Sequence, residues 1–358
     1  MKSCIRTCAI LAAMCLTGSA GAQPLVTGPA NDTKKIPGLE VLVKQAEKVA
    51  PIARTETGRA FIEAVKALPN QFRRYVWTDR VFSTAYTEAE YEQLPDTQKP
   101  RYRFRPLTEL AYYTGVKERP LVDALALDDA VAGTDMETPD GLVGKRIMLF
   151  NPRVITQGRL LASLGADVTI AHNQQRMRAV YNEPNDVGEI PGAEGHPSGH
   201  LRLIYTDWPA EASTQPGGPY DLILISDWVS NGLNIITPPM ARWQTAVRPL
   251  RPLGVDLDKA LSAFAEALKP GGRLVIYAYG PIQPRNRGVY LPYADTRVPF
   301  SPEMIENAGL EALVLDADDT PAFLELSAET GLKEAKDTSG EVPPFHATYS
   351  IFVKPIEQ

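Results

Sequence analysis

Short apolar runs alternate with segments of helical apolar spacing from residue 141 onward. The apolar runs cover residues 146–150, 165–170, 201–205, 220–225 and 273–277. Helical spacing covers residues 158–164, 257–268 and 324–332, and a strand-like run over 346–354 predicts a closing antiparallel hairpin. Continuous apolar strands that alternate with helices are typical of a parallel sheet covered on both faces. The pattern therefore predicts an α/β domain over residues 141–358, with a mostly parallel sheet and helices on both of its faces.

The segment before this domain has a different pattern. Apolar positions recur at helical spacing from Leu39 to Leu68, with a break at Pro51 and a candidate N-cap at Thr55. Residues 70–120 combine aromatic side chains with arginines, as nucleic-acid platforms do, but so does a subdomain in which arginine stems cover aromatic rings. Interspersed Asp and Glu favour the subdomain. Residues 23–140 are therefore predicted to be a helical or irregular segment packed on the main core.

The first 22 residues have the three parts of an export signal. Lys2 and Arg6 precede an apolar run over 8–16 that is too short to span a bilayer, and residues 20–22 are a small-residue cleavage site. Cleavage after Ala22 predicts an exported protein, periplasmic or secreted. All three cysteines lie in this signal, so the mature chain would have neither a disulfide nor a thiolate metal site.

Charge and hydropathy limit the partners. The chain has 37 Lys and Arg against 43 Asp and Glu, and loss of Lys2 and Arg6 takes the formal charge from −6 to −8. An acidic chain disfavours non-specific binding to nucleic acid or anionic membranes. No later apolar segment approaches the length of a transmembrane helix. We therefore expect a small-molecule ligand, no nucleic-acid partner and no membrane span.

Several motifs resemble those of the Rossmann-like, class I S-adenosylmethionine-dependent methyltransferases. The most specific lies in residues 257–277, which end Leu-Lys-Pro-Gly-Gly-Arg-Leu-Val-Ile-Tyr; proline ends a helix and the glycines turn the chain into a buried strand. The run 220–225 resembles the family's fourth strand, and Tyr205-Thr-Asp-Trp resembles the end of its third strand. Residues 145–177 resemble its first βαβ unit. The resemblance covers roughly residues 140–355 and implies a Rossmann-like fold with S-adenosylmethionine as cofactor.

The cofactor loop departs from the family's pattern. An acidic residue and three glycines normally stand at and after the first strand, where this chain has Leu149, Asn151, Arg153 and Ile155. We expect these side chains to occupy space in which the ligand would need bare backbone. Pro152 also removes a backbone donor from the loop.

Three further positions are implied by the resemblance. The second acidic residue, which normally binds the ribose hydroxyls, aligns with His172, and Asn173 follows it. A histidine or asparagine can still hydrogen-bond a hydroxyl. Asp207 is at the position that usually meets the adenine amino group, although a loop-capping Asp at a strand end is equally typical. The candidate cofactor-binding residues are therefore Asn151, His172, Asn173 and Asp207.

Candidates for catalysis and substrate binding follow the fourth and fifth strands. Asp227 is a candidate general base, although Ser226 or Asp227 is also typical of a helix N-cap. Trp228, Arg285 and Tyr290 are candidates for substrate binding, because they follow strands that end at the ligand-binding edge.

A metal site is not predicted. His196 and His200 have the spacing of a ligand pair, but such a pair needs a helix to face both side chains together. Pro197 and Gly199 disfavour that helix.

Two hypotheses about function remain. The first is an exported methyltransferase that uses S-adenosylmethionine to modify an unknown small molecule. The second is a non-catalytic methyltransferase-fold module of the cell envelope that has lost the cofactor. Export favours the second, because the cofactor is made and used in the cytosol. An occluded pocket is expected of the second, whereas withdrawal of Arg153 and Ile155 from the cleft beside Asp207 is expected of the first.

Overall fold

A computed structural model describes residues 39–69, 74–79, 84–107, 119–152, 154–181, 183–226, 257–281, 296–330 and 345–356. The strands in these ranges are β1 (Arg74–Thr78), β2 (Ala85–Tyr86), β3 (Arg103–Leu107), β4 (Arg146–Phe150), β5 (Asp167–His172), β6 (Gly188–Ile190), β7 (Gly199–Tyr205), β8 (Tyr220–Ser226), β9 (Leu268–Pro281), β10 (Glu311–Asp318) and β11 (Phe345–Val353). The α-helices are α1 (Leu39–Val49), α2 (Glu56–Glu63), α3 (Glu88–Glu92), α4 (Arg119–Val131), α5 (Thr156–Ser163), α6 (Gln175–Val180), α7 (Leu257–Ala267), α8 (Pro302–Asn307) and α9 (Thr320–Thr330).

Eight strands form one mixed sheet in the order β10-β11-β9-β8-β4-β5-β7-β6. The five central strands, from β9 to β7, are parallel, whereas β11, between β9 and β10, is antiparallel to both of them and β6 is antiparallel to β7. Strands β5 to β7 lie on one side of β4, and strands β8 to β11, which follow them along the chain, lie on the other side. The predicted Rossmann-like α/β fold and its closing antiparallel hairpin are therefore confirmed, and the strand order reverses between β4 and β8.

Both faces of the sheet are covered, as the continuous apolar strands predicted. Ile147 and Leu149 point into the larger core cluster, which includes side chains of α1, α2, α4, α5 and α9. Met148 and Phe150 point into a second cluster, where Phe150 meets Phe264 of α7 edge to face at 5.1 Å. Alternation along β4 therefore divides the core between the two faces.

The turn before β9 differs in detail from the prediction. Helix α7 ends at Ala267, before the proline, and Leu268 already pairs with Tyr220 of β8. The register shifts between Tyr220 and Leu222, and the Pro-Gly-Gly segment forms the longer side of this irregularity, with Gly271 at φ 78°. The glycine supplies the positive φ that a side chain would resist.

The N-terminal helices follow the sequence prediction. Helix α1 is separated from α2 by a short 3-10 turn containing Pro51, and the Thr55 hydroxyl caps α2 by accepting the Gly58 N–H at 2.9 Å. Buried residues of both helices belong to the larger core cluster. These two helices therefore contribute to the main core, while the division of the chain at residue 140 stays a prediction.

The aromatic-rich segment contains a sheet that the sequence pattern did not predict. Strands β2, β1 and β3 form an antiparallel three-stranded sheet in that order. Trp77 stacks on Tyr91 of α3 with ring centroids 3.6 Å apart, and Tyr75 stacks on Phe104 of β3 at 5.3 Å. Paired aromatic residues are a usual source of stability for a small sheet. The segment predicted to be helical or irregular therefore also contains these three strands.

Candidate functional site

Polar side chains gather at the carboxyl edge of the sheet, where the strand order reverses. Asn151 follows β4, His172 ends β5 and Ser226 ends β8. The Asn151 N–H donates to the Ala171 carbonyl at 2.7 Å, so the loop after β4 starts level with the end of β5. This crevice is where open α/β sheets bind their ligands.

Asn151 has a conformation that favours glycine. Its φ is 51° and its side chain is buried, with Oδ1 accepting a hydrogen bond from Gln174 Nε2 at 2.9 Å. The same amide nitrogen lies 3.2 Å from the Pro152 carbonyl oxygen. Asparagine tolerates the left-handed region better than most residues with a side chain. The family's first glycine is expected to form a tight turn at this position. Asn151 therefore has the backbone conformation of that turn, although its side chain departs from the family's pattern.

Ile155 does not fill the loop as the sequence led us to expect. Its side chain is fully buried and belongs to the larger hydrophobic cluster. It also precedes α5 without providing a side-chain cap, because a hydrocarbon side chain has no acceptor to offer. This side chain therefore packs in the core, and Arg153 lies outside the described residues.

Helix α5 approaches the sheet very closely. A Cβ placed on Gly158 would lie 2.8 Å from Ile170 Cδ1 and 2.9 Å from Leu201 Cδ1, so a larger residue here would push the helix away. Ile155 provides no side-chain cap to the first turn of α5, whose N–H groups carry the positive end of the helix dipole. Buried Gln157 directs Nε2 to Ser226 Oγ at 3.4 Å. The helix therefore presents amide donors to the reversal point between β4 and β8.

His172 is the most unusual polar group at this edge. It is 1% exposed, and neither ring nitrogen has a hydrogen-bond partner in the structure. Its ring meets Tyr205 edge to face at 5.6 Å. Burial lowers the pKa of His172 to about 4, partly opposed by the backbone of Gln174 and assisted by the charge of Arg178. A neutral imidazole has one donor and one acceptor. The Gln174 backbone approaches the ring without completing a hydrogen bond of good geometry, so among the described residues both groups lack a partner at the ligand edge.

Asp207 is exposed in the turn after β7. The side-chain cap in this turn is Thr206, whose Oγ1 accepts the Trp208 N–H at 3.0 Å and donates to the Thr214 carbonyl at 2.6 Å. The capping role expected of an Asp at this strand end is therefore filled by its neighbour. Asn173 is half-buried beside His172, so the Asp207 carboxylate and the Asn173 amide both retain contact with solvent.

The N-terminal segment reaches this edge through Arg178 of α6. The guanidinium Nη2 lies 2.6 Å from Glu90 Oε1 of α3, and the guanidinium carbon lies 5.3 Å from the centre of the Tyr205 ring. Tyr205 in turn contacts His172. The small aromatic sheet therefore adjoins the ends of β5 and β7 through side-chain contacts, a connection that the sequence did not reveal.

Comparison with known proteins places many solved S-adenosylmethionine-dependent methyltransferases among the structures similar to this chain. The N-methyltransferase NodS from Bradyrhizobium japonicum WM9 is 11% identical, with 66% of this chain and 95% of that one covered, at a TM-score of 0.35. Magnesium protoporphyrin IX methyltransferase from Synechocystis PCC 6803, with bound SAM, is 13% identical, with 66% and 82% covered, at 0.33. The cyclase SpnF is 13% identical, with 69% and 84% covered, at 0.35.

No protein-family description and no curated protein matches the chain. At the identities and TM-scores above, the likeness carries no inference about activity. Function must therefore be inferred from the strand topology and from the residues at the carboxyl edge.

The other predicted site residues cannot be located at this edge. Asp227, Trp228, Arg285 and Tyr290 lie outside the described residues, so their roles stay predictions. In the part of the chain that the structure describes, no helix is long and apolar enough to cross a membrane. Nor does any group of three His, Cys, Asp or Glu there have the arrangement of a metal site.

Three site residues were missed by sequence reasoning. Gln157 and Gly158 lie in the first turn of α5, and Gln174 fixes the side chain of Asn151. A glycine two residues into a helix that follows a strand is a usable signal for close helix–sheet packing. The two glutamines carry no such signal, because amide side chains are common on exposed helices as well.

Proposed function

We propose that this chain is an exported protein that binds S-adenosylmethionine at the carboxyl edge of the sheet and transfers its methyl group to a small molecule. The observation that carries the proposal is His172, a buried imidazole with both nitrogens unpartnered at the position that the family resemblance assigns to the ribose hydroxyls. Hydroxyl groups both donate and accept hydrogen bonds, so they suit a neutral imidazole. Buried polar groups of this kind are normally paired.

The loop after β4 also fits the cofactor. Asn151 supplies the left-handed turn without glycine, and Ile155 is withdrawn into the core. In this proposal Asn151 borders the methionine part, His172 and Asn173 hold the ribose, and the exposed carboxylate of Asp207 accepts the adenine amino group. When bound, the cofactor supplies an electrophilic methyl group. Asp227 would accept the substrate's proton, and Trp228, Arg285 and Tyr290 would recognise the substrate.

The alternative is a non-catalytic exported module of the cell envelope. It is favoured by Leu149, which is buried in β4 at the position where the family has an acidic residue. No carboxylate in that place is available to the cofactor's ammonium group. The two functions are separated by whether the protein binds S-adenosylmethionine.

Isothermal titration calorimetry of the mature chain tests the proposal with S-adenosylmethionine and its demethylated product. We expect measurable binding, weakened at least about tenfold by His172→Ala, because each hydrogen bond to a buried neutral group contributes about 1 kcal/mol. The matched control is His200→Ala, an exposed histidine at the opposite edge of the sheet, and its affinity should equal that of the wild type. Absence of heat at millimolar ligand would overturn the proposal in favour of the non-catalytic module.

A further inference from the structure

Three buried aspartates and a partly exposed arginine join the N-terminal helices to the main domain. Arg54, just before α2, directs Nη2 to Asp129 Oδ1 of α4 at 2.9 Å and Nη1 to Asp319 Oδ1 at 3.2 Å. Asp319 immediately precedes α9, and Asp128 adjoins Asp129 in α4. The three carboxylates are at most 5% exposed. Three buried carboxylates therefore share one guanidinium.

The three carboxylates differ in how completely they are hydrogen-bonded. Asp128 accepts the backbone N–H groups of Arg54 at 2.9 Å and Thr55 at 3.1 Å, together with the Thr55 hydroxyl. Asp319 accepts from Arg54 and from the Tyr277 hydroxyl at 2.9 Å. Asp129 is paired with Arg54 through Oδ1, but its buried Oδ2 has no hydrogen-bond partner. Of the three carboxylates, Asp129 is therefore the one whose ionised form is stabilised by the fewest hydrogen bonds.

Burial and the neighbouring carboxylates favour the protonated form of Asp129. Burial, together with nearby Asp319, raises the pKa of Asp129 to about 8 despite the opposing charge of Arg54. Burial also raises the pKa values of Asp128 and Asp319. The titratable groups that face Asp129 from the surrounding elements are Arg54 before α2, Asp128 in α4, Asp319 before α9, Tyr277 in β9 and Tyr349 in β11. Burial raises the pKa of both tyrosines, so they stay neutral.

We propose that this cluster is a proton-linked clasp, which fastens the start of α2 to α4 and α9 while Asp129 holds a proton and weakens as the pH rises. The unfolded chain releases this proton near pH 4, because a free aspartate has no such neighbours. The folded protein keeps it to about pH 8. The stability that the proton contributes is therefore complete below about pH 4, declines up to about pH 8, and declines no further above that.

Asp129→Asn tests the clasp, because asparagine keeps an oxygen for Arg54 and cannot ionise. In thermal unfolding of the full chain, the wild-type Tm should fall by about 5 °C or more relative to that of the variant between pH 5 and pH 8. Hydrogen exchange of residues 39–63, corrected for its intrinsic pH dependence, should rise with pH in the wild type and rise less in the variant. Asp96→Asn is the matched control, since the Asp96 side chain is 98% exposed, and it should follow the wild type.

Equal pH slopes for wild type and Asp129→Asn would overturn the proposal. Should the variant fail to fold, carbon NMR of wild-type protein labelled at the aspartate carboxyl decides the question. We expect one carboxyl resonance to titrate near pH 8, and the clasp is refuted if every resonance titrates below pH 6.

Discussion

The polar groups at the two edges of the large sheet differ in how completely they are hydrogen-bonded. At the amino edge, Asp221 accepts hydrogen bonds from Lys269 Nζ at 2.8 and 2.9 Å and from the Arg146 N–H at 2.8 Å. Beside it, Asp167 Oδ2 accepts a hydrogen bond from Arg202 Nη2 at 3.1 Å, whereas the buried Oδ1 has no hydrogen-bond partner among the described residues. The charged groups described there meet an opposite charge or a backbone donor within the same edge.

At the carboxyl edge the buried polar groups are neutral, and His172 is incompletely paired. His172 is buried without a hydrogen-bond partner for either nitrogen. Asn151 is held in the left-handed region, and α5 begins without a side-chain cap. Unpaired buried polar atoms and backbone strain both cost stability, and both are concentrated at functional sites in proteins.

The comparison distinguishes polar residues whose hydrogen bonds stabilise the fold from polar residues whose hydrogen-bonding groups are available to a ligand. A network such as that of Asp221 gains less from an added molecule, because both carboxylate oxygens already accept hydrogen bonds. His172 can gain two hydrogen bonds from a ligand or a water molecule. Substitutions at the amino edge should therefore change stability alone, and those at the carboxyl edge should change ligand affinity as well.

The largest expected effect is at the amino edge. Asp221→Ala removes the partner of Lys269 and leaves the Arg146 N–H without its acceptor. We expect the free energy of unfolding to fall by about 3 kcal/mol in urea titrations, because the half-buried carboxylate accepts charged hydrogen bonds and its loss leaves an N–H without an acceptor, with ligand affinity unchanged. Asp96→Ala is the control and should change stability by less than about 0.5 kcal/mol, because exposed pairs contribute little. A loss of affinity in Asp221→Ala would contradict the division between the edges.

The next effect is the acid sensitivity of the carboxyl edge. Because burial lowers the pKa of His172 to about 4, the folded protein resists protonation at pH values where the unfolded chain accepts a proton. Stability from this residue is complete above about pH 6.5 and is lost as the pH falls toward 4, by about 2 kcal/mol at pH 5.

His172→Asn should remove that part of the acid sensitivity. Urea titrations at pH 7, 6 and 5 should show the wild type losing about 2 kcal/mol more than this variant. His200→Asn, at the exposed histidine, should lose as much as the wild type. If His172→Asn loses stability as steeply as the wild type, the imidazole is protonated or solvated in the folded protein and the edge is not short of partners.

The central sheet could be predicted from the sequence because its strands are buried on both faces. Such strands are continuous apolar runs, and residues 146–150 and 220–225 are recognisable without knowledge of their neighbours. The three-stranded sheet of residues 74–107 could not be predicted in this way. Its stability comes from aromatic pairs such as Trp77 and Tyr91, which become neighbours only after folding.

The fold indicates where a site would lie but not its geometry. His172 and Asp207 were identified through the family resemblance, which assigns roles to residues at the ends of the strands. The direction of a side chain depends on packing that the sequence does not state. Ile155 was expected in the ligand space because its position aligns with a glycine, yet an isoleucine gains more by burial in the adjoining core.

The smallest expected effect separates two contributions of Asn151 to stability, its backbone conformation and its side-chain hydrogen bond. Asn151→Gly and Asn151→Ala both remove the hydrogen bond to Gln174, so their difference reports the cost of φ 51°. Glycine should be about 1 kcal/mol more stable than alanine here. Asn173 provides the control, because its φ is not positive, and there alanine should be the more stable by about 0.5 kcal/mol. The same order at both positions would mean that the loop relaxes out of the left-handed turn. In that case the carboxyl edge would be no more strained than the amino edge.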